Sequence, residues 1–219
     1  MKYANAYNTV IFDLDGTLID SSPSILNCFG QVLNSAGLAP LVPLVSSLIG
    51  PPLRQTLINL TGITDSAVLD RLVDDFKECY DADGYKATLV YGGVDEMLAQ
   101  LADSDITLAI ATNKRRIPTL KIVEHLGWER YFLIVGTLDM PVPPHIDKAA
   151  MIRQVLDDIG AIAELSLYVG DKLEDGEAAQ ANHIRFIAAG WGYGEWDSVV
   201  MLNNWNYLAS PIGLRKLLR

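Results

Sequence analysis

Thr9-Val10-Ile11-Phe12-Asp13-Leu14-Asp15-Gly16-Thr17-Leu18 is the stretch that decides how this 219-residue chain folds. Its first four residues are β-branched or aromatic, and so short an apolar run reads as a buried strand. The run breaks at Asp13, and a polar turn follows. The same pattern returns downstream. Residues 106–111 read Ile-Thr-Leu-Ala-Ile-Ala and then turn polar at Thr112-Asn113. Residues 131–135 end at Gly136, residues 165–169 lead into Gly170-Asp171, and residues 184–189 lead into Gly190.

Helical periodicity lies between these runs. Met151, Ile152, Val155, Leu156 and Ile159 fall on one face of a helix over 150–159. Residues 117–126 carry Pro118 in a first turn and Gly127 where a helix would stop. Residues 95–102 predict a third helix. Strands that alternate with helices imply a parallel sheet covered on both faces.

Residues 19–86 break the alternation, with helical periodicity and no convincing strand. Ser22 is placed as a cap, Pro23 follows at the first helical position, and Ile25, Leu26, Phe29, Val32 and Leu33 share a face up to Gly37. A second helix is expected over 53–60. A third carries Val68, Leu69, Leu72, Val73 and Phe76. The expected fold is therefore α/β: a Rossmann-like parallel-sheet core built from residues 1–18 and 87–219, with a small helical domain inserted at 19–86.

Composition narrows the function. There are 27 acidic and 17 basic side chains, a net charge of −10. Nucleic-acid binding needs a basic surface, so it is excluded. No apolar run approaches the ~20 residues that span a bilayer, so no membrane role is expected. The first eight residues lack the apolar region of a signal peptide, which makes a soluble cytoplasmic protein the expectation. The two cysteines, Cys28 and Cys79, are too few and too far apart for a disulfide framework. They are expected as free thiols in a reducing compartment.

In an open parallel sheet, ligands bind outside the carboxyl ends of the strands. Those ends carry Asp13 and Asp15, then Thr112, Asn113 and Lys114, then Asp171 and Asp175. Several carboxylates at one place repel each other, and a hard divalent cation such as Mg²⁺ relieves that repulsion. A carboxylate can also attack phosphorus and form a covalent intermediate. Hydroxyl, amide and ammonium groups can hold the remaining phosphate oxygens.

These residues resemble the haloacid dehalogenase superfamily of hydrolases. Asp13-Leu14-Asp15-Gly16-Thr17-Leu18 is similar to its first motif, Ala111-Thr112-Asn113-Lys114 to its second and Gly170-Asp171-Lys172-Leu173-Glu174-Asp175 to its fourth. The inserted helices resemble its first class of cap domain. The closest likeness is to the phosphoglycolate-phosphatase-like branch, which the tail Ala189-Gly190-Trp191-Gly192-Tyr193-Gly194 also resembles. The resemblance implies a Mg²⁺-dependent phosphatase acting on a small phosphorylated metabolite. Asp13 would be the nucleophile. Asp15 would protonate the leaving alcohol and then activate water. Thr112 would bind the phosphoryl group. The metal would be held by Asp13, Asp171 and the backbone carbonyl of Asp15, with Asp175 in support. The third motif is a lysine, best matched by Lys148.

Candidate substrate contacts are Arg54, Asn113, Lys114 and the loop Tyr91-Gly92-Gly93, with Gly93 at its end. Arg115 and Arg116 are expected on a solvated face. A monomer or homodimer is expected. Two further readings share this site: a phosphomutase, and a phosphate-ligand binding protein without catalysis.

Overall fold

The computed structural model describes residues 7–196 and 203–218. Residues 1–6, 197–202 and 219 belong to the sequence-based core boundaries and lie outside the described residues. In chain order the strands are β1 (Thr9–Phe12), β2 (Ile19–Asp20), β3 (Leu89–Val90), β4 (Thr107–Thr112), β5 (Ile134–Thr137), β6 (Ser166–Gly170), β7 (Arg185–Ala189) and β8 (Asn206–Leu208). Six of them form a parallel sheet in the order β5-β4-β1-β6-β7-β8. This is the expected α/β core.

Strand β1 sits at the centre, with β4 on one side and β6 on the other. All four of its residues are buried. Val10 and Phe12 pack into one apolar layer, with Leu98, Ile110 and Val169. Ile11 packs into the opposite layer, with Met151, Ile152 and Tyr168. Alternation with period two thus feeds both faces of the sheet. Each large side chain buried this way contributes about 1.5–3 kcal/mol.

The helices are α1 (Ser22–Ser35), α2 (Leu53–Thr61), α3 (Ser66–Ala82), α4 (Val94–Ala102), α5 (Arg116–His125), α6 (Lys148–Ile159) and α7 (Leu173–Ala181). The first three form the insertion. They bury their own apolar cluster, in which Phe29 and Phe76 lie 4.5 Å apart and Phe76 stacks on Tyr80 at 5.8 Å.

The structure corrects several sequence expectations. The insertion begins with a strand after all: β2 pairs antiparallel with β3. Two residues are too few to show a periodicity. The cap of α1 is Ser21 rather than Ser22, and its hydroxyl makes no capping bond. That hydroxyl donates to Asp15 instead. Strand β5 lies later than residues 131–135, because Tyr131 still closes a turn on the Trp128 carbonyl and contact with β4 begins only at the Leu133 N–H, which donates to the Leu108 carbonyl. Strand β8 gave no signal that sequence reading used.

The cysteines are also corrected. Cys28 on α1 and Cys79 on α3 form a disulfide. They are 51 residues apart in sequence, but packing of the two helices brings their Cα atoms to 6.0 Å, within bridging range. No helix among the described residues is long and apolar enough to cross a membrane.

Arg115 is not on a solvated face. Its guanidinium makes two hydrogen bonds to Asp81 of α3, at 2.8 and 2.6 Å. Lys121 of α5 donates to the Asp81 carbonyl at 2.7 Å. The start of α5 is thereby latched to the insertion. Arg116 donates its backbone N–H to Asp139 and a guanidinium N–H to the Val135 carbonyl. A forked, partly buried arginine–carboxylate pair is among the stronger surface contacts. Arg115→Ala is expected to loosen the insertion over the core and to raise KM roughly tenfold. An unchanged KM in steady-state kinetics would show that the latch does not set the insertion's position.

Candidate active site

The sheet order explains how distant residues meet. Because β1 lies between β4 and β6, the residues leaving these three strands are neighbours: Asp13 after β1, Thr112 at the end of β4, and Asp171 after β6. The backbone N–H of Asp13 still donates to the Val169 carbonyl at 2.9 Å, which carries the ladder one residue past the strand. All three side chains are buried.

Asp13, Asp171 and Asp175 form a cluster in which one carboxylate oxygen from each lies within 4.8 Å of the others. Helix α7 supplies Asp175, which accepts the N–H of Lys172 at 2.9 Å and so sits in the first turn. Gly16 and Gly192 let the backbone come close to Asp171. A Cβ on Gly16 would lie 2.2 Å from an Asp171 carboxylate oxygen, and Gly16 has φ +89°. A Cβ on Gly192 would lie 2.4 Å from the Asp171 Cβ. Tyr193 then donates its backbone N–H to Asp171 Oδ2 at 2.8 Å.

Lys148 opens α6 and reaches the cluster. Its ammonium donates to Asp13 Oδ1 at 2.8 Å and pairs with Asp175. Asp147, just before it, caps the helix by accepting from the Ala150 N–H. Burial opposes the charged form of Lys148, but Asp13 and Asp175 outweigh it and hold the ammonium well above its usual range. One ammonium does not balance three carboxylates. Burial pushes the Asp13 carboxyl up to about 7, with Lys148 pulling it down and Asp175 and Asp15 pushing it further up. Burial and the nearby Asp175 and Asp13 likewise hold Asp171 well above the carboxylate range.

Three buried oxygen donors with uncompensated charge suit a hard divalent cation; soft-metal ligands are absent from the cluster. Asp13, Asp171 and Asp175 are the residues that could hold it. A stability test follows. Asp13 moves from 3.8 to about 7 on folding, so over that window the folded state binds more protons than the unfolded one. Stability without metal must then fall as pH rises. The melting temperature in EDTA is expected to drop between about pH 5 and about pH 8, and added Mg²⁺ is expected to restore it at the higher pH. A flat profile that ignores Mg²⁺ would show that the carboxylates are not under strain from one another.

Asp15 lies at the other side of Asp13. It accepts from Lys114 through both oxygens, each at 3.1 Å, and from the Ser21 hydroxyl. Thr112 accepts the Lys114 backbone N–H at 3.2 Å, which fixes the turn after β4. Asn113 donates to the Gly50 carbonyl at 3.3 Å and to Glu174 at 3.2 Å, while its Oδ1 is buried without a partner.

Between the core and the insertion lies a cavity of about 100 Å³. Asp13, Asp15, Thr112, Asn113, Lys114 and Lys148 line it from the core. Two expected substrate contacts are not among its lining residues. Arg54 is turned toward the insertion's surface, where it pairs with Asp70 and donates to Ser66 at 3.0 Å. Gly93 starts α4 with φ +90° and lies against Ile212. Its conformation serves the turn into the helix. Sequence reading missed Ser21, Tyr193, Glu174 and Tyr80. Tyr193 carried a signal through the Gly-x-Gly-x-Gly spacing around it, and Glu174 lies inside the stretch likened to the fourth motif.

The family model described as haloacid dehalogenase-like hydrolase matches residues 10–189. A tyrosine-protein kinase, PtkA of Mycobacterium tuberculosis, is 31% identical over 191 residues, covering 87% of this chain. The chain spans 64% of that kinase's length, a little under two thirds. A 5'-nucleotidase of Pseudomonas aeruginosa is 30% identical over 213 residues, covering 97% of this chain and 96% of the nucleotidase. A phosphoglycolate phosphatase of Rhodobacter capsulatus is 34% identical, covering 84% of each chain.

Proposed function

The chain belongs to the haloacid dehalogenase-like hydrolase family, and from that premise we propose that it is a Mg²⁺-dependent phosphatase of small phosphate monoesters that works through an aspartyl-phosphate on Asp13. The observation that carries the reading is the buried Asp13 beside both Lys148 and the two further carboxylates Asp171 and Asp175. Bound Mg²⁺ would neutralise the carboxylates and offset the charge of the phosphate.

The chain's own residues account for the rest. Lys148 holds Asp13 through Oδ1 and leaves the other oxygen for attack on phosphorus. A bond forms from Asp13 to phosphorus, and the bond from phosphorus to the ester oxygen breaks. Asp15 gives its proton to that oxygen, and the alcohol leaves. The Asp15 carboxylate then takes a proton from water, whose oxygen attacks phosphorus. The bond between Asp13 and phosphorus breaks, phosphate departs, the Asp13 carboxylate is regenerated, and Asp15 keeps the proton for the next turnover. Lys114 and Ser21 keep Asp15 in place for both transfers. Thr112, buried beside Asp13, offers a hydroxyl to the phosphoryl group. The cavity's small volume and its roof of insertion side chains support a small metabolite as the substrate.

The test is release of inorganic phosphate from a panel of small esters, with Mg²⁺ and with excess EDTA. Mg²⁺-dependent release equal to the ester consumed supports a phosphatase. Phosphate moved within a sugar phosphate without release would replace this reading by a mutase. No conversion of any ester would leave only a binding protein.

A further inference from the structure

The chain enters the insertion at β2 and leaves it at β3, and the two strands pair. Tyr193, from the glycine-rich stretch after β7, holds both crossings. Its hydroxyl accepts the backbone N–H of Ser21 at 3.0 Å and of Ser22 at 3.2 Å, and it donates to Asp20 Oδ1 at 2.9 Å. The side chain of Tyr91, the residue after β3, hydrogen-bonds it as well. The Tyr193 backbone N–H is on Asp171. One residue thus ties both connections of the insertion to the carboxylate cluster.

These bonds explain the start of α1. The first N–H groups of a helix lack partners within it, and a serine at the N-cap ordinarily turns its hydroxyl to them. Ser21 makes no such bond. The Ser22 N–H is met by Tyr193 and by Asp20 Oδ1 at 2.9 Å, and Pro23 has no N–H. The Ser21 hydroxyl is left to donate to Asp15. Ser21 is fully buried, so no water stands ready to replace that bond. Neither Ser21 nor Tyr193 is among the residues that line the cavity. Tyr193 therefore reaches the reacting groups through other residues.

We propose that Tyr193 is a positioning residue for the acid–base steps: its hydroxyl fixes Asp20, Ser21 and Ser22 so that the Ser21 hydroxyl stays on Asp15. This rests on the phosphatase reading above and on the part given there to Asp15. Without the Tyr193 hydroxyl, the N–H groups of Ser21 and Ser22 and the Asp20 carboxylate must find other partners. Ser21 then shifts, and Asp15 is held by Lys114 alone.

The experiment measures kcat and KM with Mg²⁺ and the full chain, for p-nitrophenyl phosphate and for the best ester of the panel above. It uses wild type, Tyr193→Phe, Ser21→Ala and the double variant, each with a melting curve. Each single variant is expected to lower kcat about tenfold, the scale of one well-placed hydrogen bond. KM should change less than about twofold, because neither side chain lines the cavity. Both act on Asp15 along one route, so the double variant is expected to fall about tenfold rather than about a hundredfold. A Tyr193→Phe variant that keeps wild-type kcat, or that changes KM instead, would overturn the proposal. So would losses that multiply in the double variant, or a Tyr193→Phe chain without a cooperative melting transition, since either makes the tyrosine structural only. Ser21→Ala leaves the Tyr193 bonds to the backbone in place, and wild-type kcat in that variant would also overturn it. Phosphate release by wild type from no ester of the panel would instead overturn the phosphatase reading on which it rests.

Discussion

Asp13→Asn is expected to lose at least ~10⁴-fold in kcat, the scale seen when a covalent nucleophile is removed. An amide does not attack phosphorus, so no other group can take over the first step. The variant should nevertheless fold. Asparagine keeps an oxygen for the Lys148 hydrogen bond, and it removes one of three crowded carboxylates. Burial holds Asp13 up at about 7, so ionising it near neutrality is harder in the folded chain than in the unfolded one. The metal-free variant is therefore expected to melt no lower than wild type at neutral pH. Phosphate release and a melting curve on the same sample check both parts. Near-normal turnover would remove Asp13 from the reaction.

Asp15→Asn is expected to lower kcat by about 10²–10⁴-fold, the usual weight of general acid–base catalysis. The two transfers assigned to Asp15 can be told apart by leaving group. With p-nitrophenyl phosphate the leaving oxygen needs little help from a proton, so the first step should survive. The second step still needs a base for water. The result should be a burst of about one equivalent of nitrophenolate, followed by slow turnover, with phosphate trapped on the protein. Acid quench with labelled phosphate and peptide mapping should find the label on Asp13. Slow turnover with no burst would place Asp15 in the first step alone. Normal turnover would remove it from the mechanism. Because Lys114 gives both of its hydrogen bonds to Asp15, a melting curve is the control for lost packing.

Much of the fold was legible because the signals are local. A four-residue apolar run that stops at an aspartate marks a central strand, and 3.6-residue periodicity marks α6 with Met151, Ile152 and Val155 inward. Elements without a period escaped. Two-residue β2 is one, and β8 is another. Side-chain caps were also misread: Ser21 could bond the helix or Asp15, and only the folded chain shows that Asp15 takes it.

The candidate site divides in the same way. Asp13, Asp15, Thr112 and Asp171 could be named together from sequence, because in a parallel sheet the strand ends share one edge and the strand order sets which ends touch. The net charge of −10 likewise set an expectation of no nucleic-acid partner. What the tertiary structure alone decided depends on contacts between residues far apart in the chain. Lys148 and Asp13 are 135 residues apart, and their pairing needs α6 to start beneath the end of β1. Arg115 meets Asp81, Cys28 meets Cys79 and Arg54 turns away to Asp70 because α1, α2 and α3 pack as they do over the core. A periodicity says which face of a helix is buried; only packing says what that face is buried against.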